Sequence, residues 1–95
     1  MTLQEFKQAY TEVLTEMQQE KGIAEDYPWL PNATQEAIVV CVEKMCAAIV
    51  EKADMRWDWL KNNPAIKRVA KRFGITSPPQ FREIAKTWVI EDAVS

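Results

Sequence analysis

The chain has 95 residues, of which 47% are apolar and 27% charged, and its net charge is −2. This size and composition indicate one folded domain over residues 1–95 and exclude a disordered segment or two independent cores. There is no histidine and there are only two cysteines, which excludes a serine–histidine triad and a tetrahedral zinc site.

The first predicted element is an amphipathic helix over residues 2–21. Thr2 and Glu5 have the spacing of a capping box, and Gly22 suits a left-handed stop. Apolar residues recur every three or four positions, at Leu3, Phe6, Tyr10, Val13 and Met17. The connector over 24–31 contains two prolines, which exclude a helix interior. We expect its larger side chains to pack on the core, namely Tyr27, Trp29 and Leu30.

The second predicted helix covers residues 33–61, with Asn32 as its N-cap. A break at Asp54 is the alternative, because aspartate also caps helices. The run from Ala37 to Val42 is apolar without interruption, so this helix is either central or an interface with a second copy. Trp59 points away from the main apolar stripe and favours the interface, so we expect a homodimer.

Two shorter helices follow, over 64–73 and 78–89, with a fraying end after Ile90. Asn63 precedes a proline as N-cap of the third helix, and Gly74 closes that helix. Ser77 repeats the start signal for the fourth helix. No strand pattern is present, so the predicted fold is all-α, with four helices around a core that includes Val42, Met45, Ile49, Ile66, Phe73, Phe81 and Trp88.

Charge is divided unevenly along the chain. The first 60 residues carry five basic and eleven acidic side chains, whereas residues 61–90 carry seven basic side chains and one acidic. The chain therefore splits into an acidic helical part, 1–61, and a basic part, 62–90. A solvated outer face is the simplest explanation of such a basic segment.

The basic part also contains a recognisable spacing. Ala70, Gly74 and Ile75, followed by the anchors Phe81 and Ile84, resemble the helix-turn-helix DNA-binding superfamily over residues 64–89, although the anchors fall one residue late. The resemblance implies a small regulator that binds double-stranded DNA, with its last helix in the major groove. The implied DNA-binding residues are Lys67, Arg68, Lys71, Arg72, Thr76, Ser77, Gln80, Arg82 and Lys86.

The acidic part suggests a second class of function. Glu12, Glu16 and Glu20 stack at intervals of four residues on the first helix. This stripe is either solvated, or paired with the basic half of the same chain, or directed at a basic surface of a protein partner. The last case predicts an interaction or inhibitor module that engages a basic partner, such as a nucleic-acid-binding protein, and has Trp59 as a further contact.

No motif favours an enzyme. The carboxylates lie neither in a glycine-rich loop nor beside a candidate nucleophile, so we expect no catalytic residue, metal or cofactor. Cys41 and Cys46 point in different directions on a helix, which predicts free thiols in a reducing compartment. No signal peptide or membrane-spanning run is present, and these features predict a cytoplasmic protein that does not enter membranes.

Overall fold

A computed structural model describes residues 1–51 and 63–94, and in those ranges the chain is all-α without a strand, as predicted. The helices are α1 (Leu3–Met17), α2 (Ile23–Asp26), α3 (Gln35–Glu51), α4 (Pro64–Arg72) and α5 (Pro78–Val94). The short α2 was not predicted. The end of the second predicted helix, its alternative break at Asp54 and the outward Trp59 lie outside the described residues.

The capping box at the start of α1 is confirmed. Thr2 Oγ1 accepts from the amide of Glu5 at 3.1 Å, and Glu5 Oε1 accepts from the amide of Thr2 at 3.1 Å. The helix ends at Met17, four residues earlier than predicted, because the next four residues are all polar and a longer helix would bury nothing. Gly22 is left-handed, with φ 77°, but it precedes α2 instead of closing α1.

The connector between α1 and α3 is tied to the end of α1. The side-chain amide of Gln18 donates to the carbonyls of Leu30 at 3.0 Å and Ala33 at 2.7 Å. Leu30 is fully buried, as predicted. Trp29 is not: it is 41% exposed and packs edge-on against Tyr27, so the prediction that it joins the core was wrong.

Helix α3 begins two residues later than predicted. Thr34, rather than Asn32, caps it, because Thr34 Oγ1 accepts from the amide of Ala37 at 3.1 Å. A turn in which the amide of Ala33 bonds to the carbonyl of Leu30 at 3.0 Å keeps Asn32 outside the helix. The buried face of α3 consists of Ile38, Val42, Cys46 and Ile49, and Met45 is only partly buried.

Helices α4 and α5 begin where the sequence predicts. Asn63 Oδ1 accepts from the amides of Ala65 and Ile66 and so caps α4. The predicted fraying after Ile90 is wrong, since α5 continues to Val94. Phe73 is also not a core residue: it lies just past the end of α4 and is 38% exposed. The turn brings Ile75 into the buried position instead.

Helix α1 lies at the centre of the fold and contacts α3, α4 and α5. Its Phe6 ring centroid is 4.8 Å from that of Trp88 and 5.9 Å from that of Phe81, and the indole N–H of Trp88 donates to the carbonyl of Met1 at 3.2 Å. The predicted core is confirmed at Val42, Ile49, Ile66, Phe81 and Trp88. Helix α3 packs against α1 and α5, and Val39 and Val40 of its apolar run face outward.

Candidate binding surfaces

The acidic stripe, formed by Glu12 and Glu16 of α1 and by Glu20 in the turn after it, faces the arginines of α4. Arg68 forms a bidentate ion pair with Glu20, in which Nη2 donates to Oε1 at 2.8 Å. Arg72 Nη1 donates to Glu12 at 2.9 Å, and Arg72 Nη2 donates to Glu16 at 2.8 Å. Of the three alternatives for this stripe, the structure therefore contains the pairing with the basic half of the same chain.

We call these three ion pairs the ladder. It forms because the glutamates and the arginines have the same spacing along segments that run antiparallel. Glu12 and Glu16 are four residues apart on α1, and Arg68 and Arg72 are four residues apart on α4, so each pair follows one face of its helix. Glu20 lies in the turn just after α1. The hydrogen bonds from Arg68 hold the pKa of Glu20 below its usual value, and Glu20 raises the pKa of Arg68. Because all five side chains remain well exposed, each pair stabilises the fold only weakly.

The cations of α4 thus divide between two flanks. Arg68 pairs with Glu20 and Arg72 with Glu16, whereas the exposed Lys67 and Lys71 lie about 100° further round the helix and form no ion pair within the described residues. A DNA backbone approaching α4 would meet the two lysines without displacing an ion pair. It would meet the arginines only beside three carboxylates, which repel phosphate.

The turn after α4 has its glycine in the left-handed conformation, as the sequence predicts. Gly74 has φ 71°, its amide bonds to the carbonyl of Lys71 at 3.2 Å, and the amide of Ile75 bonds to the carbonyl of Ala70 at 2.9 Å. These two bonds form a Schellman motif. Ala70 and Ile75 are both buried, which matches the spacing that resembles a helix-turn-helix unit.

Several polar residues after the turn form hydrogen bonds or ion pairs with residues three or four positions away. Gln80 Oε1 accepts from the amide of Thr76 at 3.0 Å, with the Thr76 hydroxyl 3.4 Å away, and Ser77 is half-buried at the start of α5. Lys86 forms an ion pair with Glu83 at 3.4 Å, and the Arg82 side chain is exposed. Helix α4 lies chiefly against α1 and α5 chiefly against α3, so these two helices do not form a hairpin packed mainly on itself.

A different surface lies on α3. We call it the α3 outer face; it is opposite Ile38 and Val42, and its exposed residues are Glu36, Ala37, Val39, Val40, Glu43, Lys44 and Ala47. Val39 and Val40 are 42% and 45% exposed. The apolar run beginning at Ala37 predicted that this helix needs cover, and within the described residues that cover is incomplete.

Trp29 extends this surface. A shallow groove runs between its indole ring and α3, lined by Ala37, Val40, Cys41, Lys44 and Met45. Sequence reasoning missed Trp29 because a tryptophan between two prolines is equally compatible with a core position.

Neither thiol has the character of a nucleophile. Burial raises the pKa of Cys41, and it raises the pKa of Cys46 to about 12. Both thiols are free, and at neutral pH they are protonated.

Within residues 1–51 and 63–94, no cluster of three or more acidic or cysteine side chains could hold a metal ion. No helix in the same ranges is long and apolar enough to cross a bilayer. Comparison with protein-family models, curated proteins and solved structures gave no match.

Proposed function

We propose that this chain is a non-enzymatic protein-binding module, and that its binding surface is the α3 outer face together with Trp29. The observation that supports this most directly is the exposure of Val40 and Trp29 along one groove, with Val39 exposed next to Val40 on the helix. Adjacent exposed apolar side chains are typical of sites that contact another protein, and tryptophan is often the anchor of such sites.

The acidic stripe is a weaker candidate for the same role. Glu12, Glu16 and Glu20 already pair with two arginines of the same chain. A basic partner would have to compete with these contacts, whereas a partner on the α3 outer face would remove exposed apolar side chains, Val39, Val40 and Trp29, from water. We therefore place the partner on the α3 outer face and not on the acidic stripe.

Site-specific photo-cross-linking tests this proposal. A photoreactive benzoylphenylalanine replaces Val40, or as a control replaces Glu25, which is exposed on α2. After irradiation in cells of the source organism, we expect a covalent adduct from position 40 whose protein component is identified by mass spectrometry. Absence of an adduct from position 40, or equal adducts from both positions, would overturn the proposal.

DNA binding is the second candidate, and the turn geometry favours it. Gly74 is left-handed and Ala70 and Ile75 are buried, as the resemblance implies, and Lys67 and Lys71 remain exposed beside them. With both arginines paired, the phosphate contacts of α4 reduce to these two lysines. Binding through them alone predicts a log–log salt slope of about −2, at roughly 0.9 per phosphate.

Fluorescence anisotropy on mixed-sequence duplex DNA distinguishes this candidate. Changing Lys67 and Lys71 together to alanine should abolish binding, whereas changing Glu12 and Glu16 to glutamine frees Arg72 and should steepen the slope by about one. If no binding is detected at about 50 mM salt, where nonspecific contacts are strong, the DNA hypothesis is wrong.

A further inference from the structure

Two charges on the α3 outer face, those of Glu36 and Lys44, lie symmetrically about Val40. Glu36 precedes Val40 by four residues and Lys44 follows it by four, so the two charges lie about 6 Å on either side of Val40 along the helix axis. All three side chains are exposed and lie within about 40° of one line along the helix. Along this line, α3 therefore presents a negative, an apolar and a positive side chain in succession.

Glu36 and Lys44 of one chain cannot form an ion pair with each other. They are eight residues apart, which separates them by about 12 Å along the axis. Neither forms an ion pair in the part of the chain that the structure describes. Glu43, also on this face, is different, because it pairs with Lys7 at 3.0 Å.

Such a stripe is complementary to itself when reversed. If a second α3 lies antiparallel across a two-fold axis at Val40, each Glu36 meets Lys44 of the second copy, and the two Val40 side chains meet at the centre. A parallel arrangement would place Glu36 beside Glu36 and is disfavoured by like charge.

The remaining residues of the face suit this arrangement. Ala37 and Ala47 are small and exposed, so they allow two helices to approach closely. Trp29, on the flank beside Ala37 and Val40, would cover the edge of the contact. Moving the axis to the midpoint between Glu43 and Lys44 would instead bring Glu36 against Glu51 of the other copy, so the charges favour the register at Val40.

We propose that the partner of the α3 outer face is a second copy of this chain, packed antiparallel about Val40 with two Glu36–Lys44 pairs. This inference rests on the proposed protein-binding function and specifies its partner. It places the homodimer contact on α3, in the register centred on Val40, with Glu36 and Lys44 as the paired charges.

A charge-swap series measured by sedimentation equilibrium tests the inference. The natural chain should be a dimer at tens of micromolar, with twice the 11.0 kDa mass of the monomer. Glu36→Lys and Lys44→Glu each place like charges at both pairs and should raise the dissociation constant at least about tenfold. The double variant restores opposite charges and should return the constant to within about threefold of the natural value.

Two controls make the series specific. Glu25→Lys changes the net charge by the same amount on α2 and should leave the dissociation constant unchanged. Val40→Asp puts two carboxylates at the axis and should leave only the monomer. The substituted positions are exposed, and circular dichroism verifies the helical content of every variant.

The outcomes separate this inference from the proposed function. A species of only 11.0 kDa for the natural chain, or a double variant that stays as weak as the single ones, would refute the second copy as partner. If position 40 then still cross-links to a different protein, the protein-binding function stands. If position 40 captures no protein, both fail.

Discussion

Gly74 illustrates how a single residue determines a turn. Its φ of 71° lies in the region that L side chains rarely adopt, and a Cβ placed there would meet no atom within 4 Å. The requirement for glycine is therefore conformational and not a matter of space. The Schellman hydrogen bonds to Ala70 and Lys71 depend on that conformation.

We expect Gly74→Ala to lower the free energy of unfolding by about 1–2 kcal/mol, because alanine is strained at positive φ. Gly74→Asn should cost less, since asparagine tolerates the left-handed region. Urea unfolding followed by circular dichroism measures both. An alanine variant as stable as the natural chain would contradict this assignment.

Asn63 connects a local cap to the rest of the fold. Its Oδ1 accepts from the amides of Ala65 and Ile66 and also from the hydroxyl of Tyr27 at 2.8 Å. The hydrogen bond from Tyr27 joins residues 36 positions apart, so the cap also holds the connector against α4.

Asn63→Ala should lower the free energy of unfolding by about 1–2 kcal/mol, the usual cost of a lost N-cap. Tyr27→Phe should cost about 1 kcal/mol, the net value of one hydrogen bond. In a double-mutant cycle the two losses should not add, because both remove the same contact. Thr2→Ala, at the separate cap of α1, serves as the control and should add to either change.

At the scale of elements, α1 and α4 are joined on the outside by the ladder of ion pairs and on the inside by apolar packing. The ladder contributes little stability at each exposed pair, yet it determines where the charges of α4 point. The two arginines, although exposed, are directed towards Glu12 and Glu16 of α1 and Glu20 in the turn after it.

The pair between Arg68 and Glu20 should make stability depend on pH. Since the pKa of Glu20 is lowered in the folded chain, the stabilisation is fully present above the ordinary glutamate pKa of about 4.3 and is lost as the pH falls through the lower folded value. Between about pH 7 and pH 3, the natural chain should therefore lose more stability than Glu20→Gln.

Urea unfolding at several pH values measures this difference. Glu25→Gln, which alters an exposed glutamate of α2, is the matched control and should follow the natural chain. Identical pH profiles for the natural chain and Glu20→Gln would show that the pair contributes nothing.

At the scale of the whole molecule, the acidic and basic parts share one core. Phe6 of α1 contacts Phe81 and Trp88 of α5, and the buried residues of α3 and α4 belong to the same cluster. Neither part buries its apolar face alone. The division seen in the charges is therefore a property of the surface and not of the core.

One core predicts one cooperative unfolding transition. Far-ultraviolet circular dichroism and alkylation of the buried Cys46, in a Cys41→Ser background, should report the same midpoint. Phe6→Ala should destabilise the whole chain by about 3–5 kcal/mol, a large part of the total for a domain of this size. Two separated transitions would contradict a shared core.

Features that depend on neighbours within a few residues could be predicted from the amino-acid sequence. The caps at Thr2 and Asn63, the turn at Gly74 and most of the buried stripes follow from local hydrogen bonding and helical periodicity. The ends of α1 and α5 were predicted less well, because a helix stops or continues according to what its next turn can pack against.

Which surfaces remain available for binding depends on how the helices pack together. Glu12 and Arg72 are 60 positions apart, and their pairing depends on how α1 and α4 cross. Periodicity separates the apolar side of a helix from its polar side, but it does not specify which other helix covers either side. For the same reason, the sequence predicted that Val40 needs cover, and the fold left it exposed.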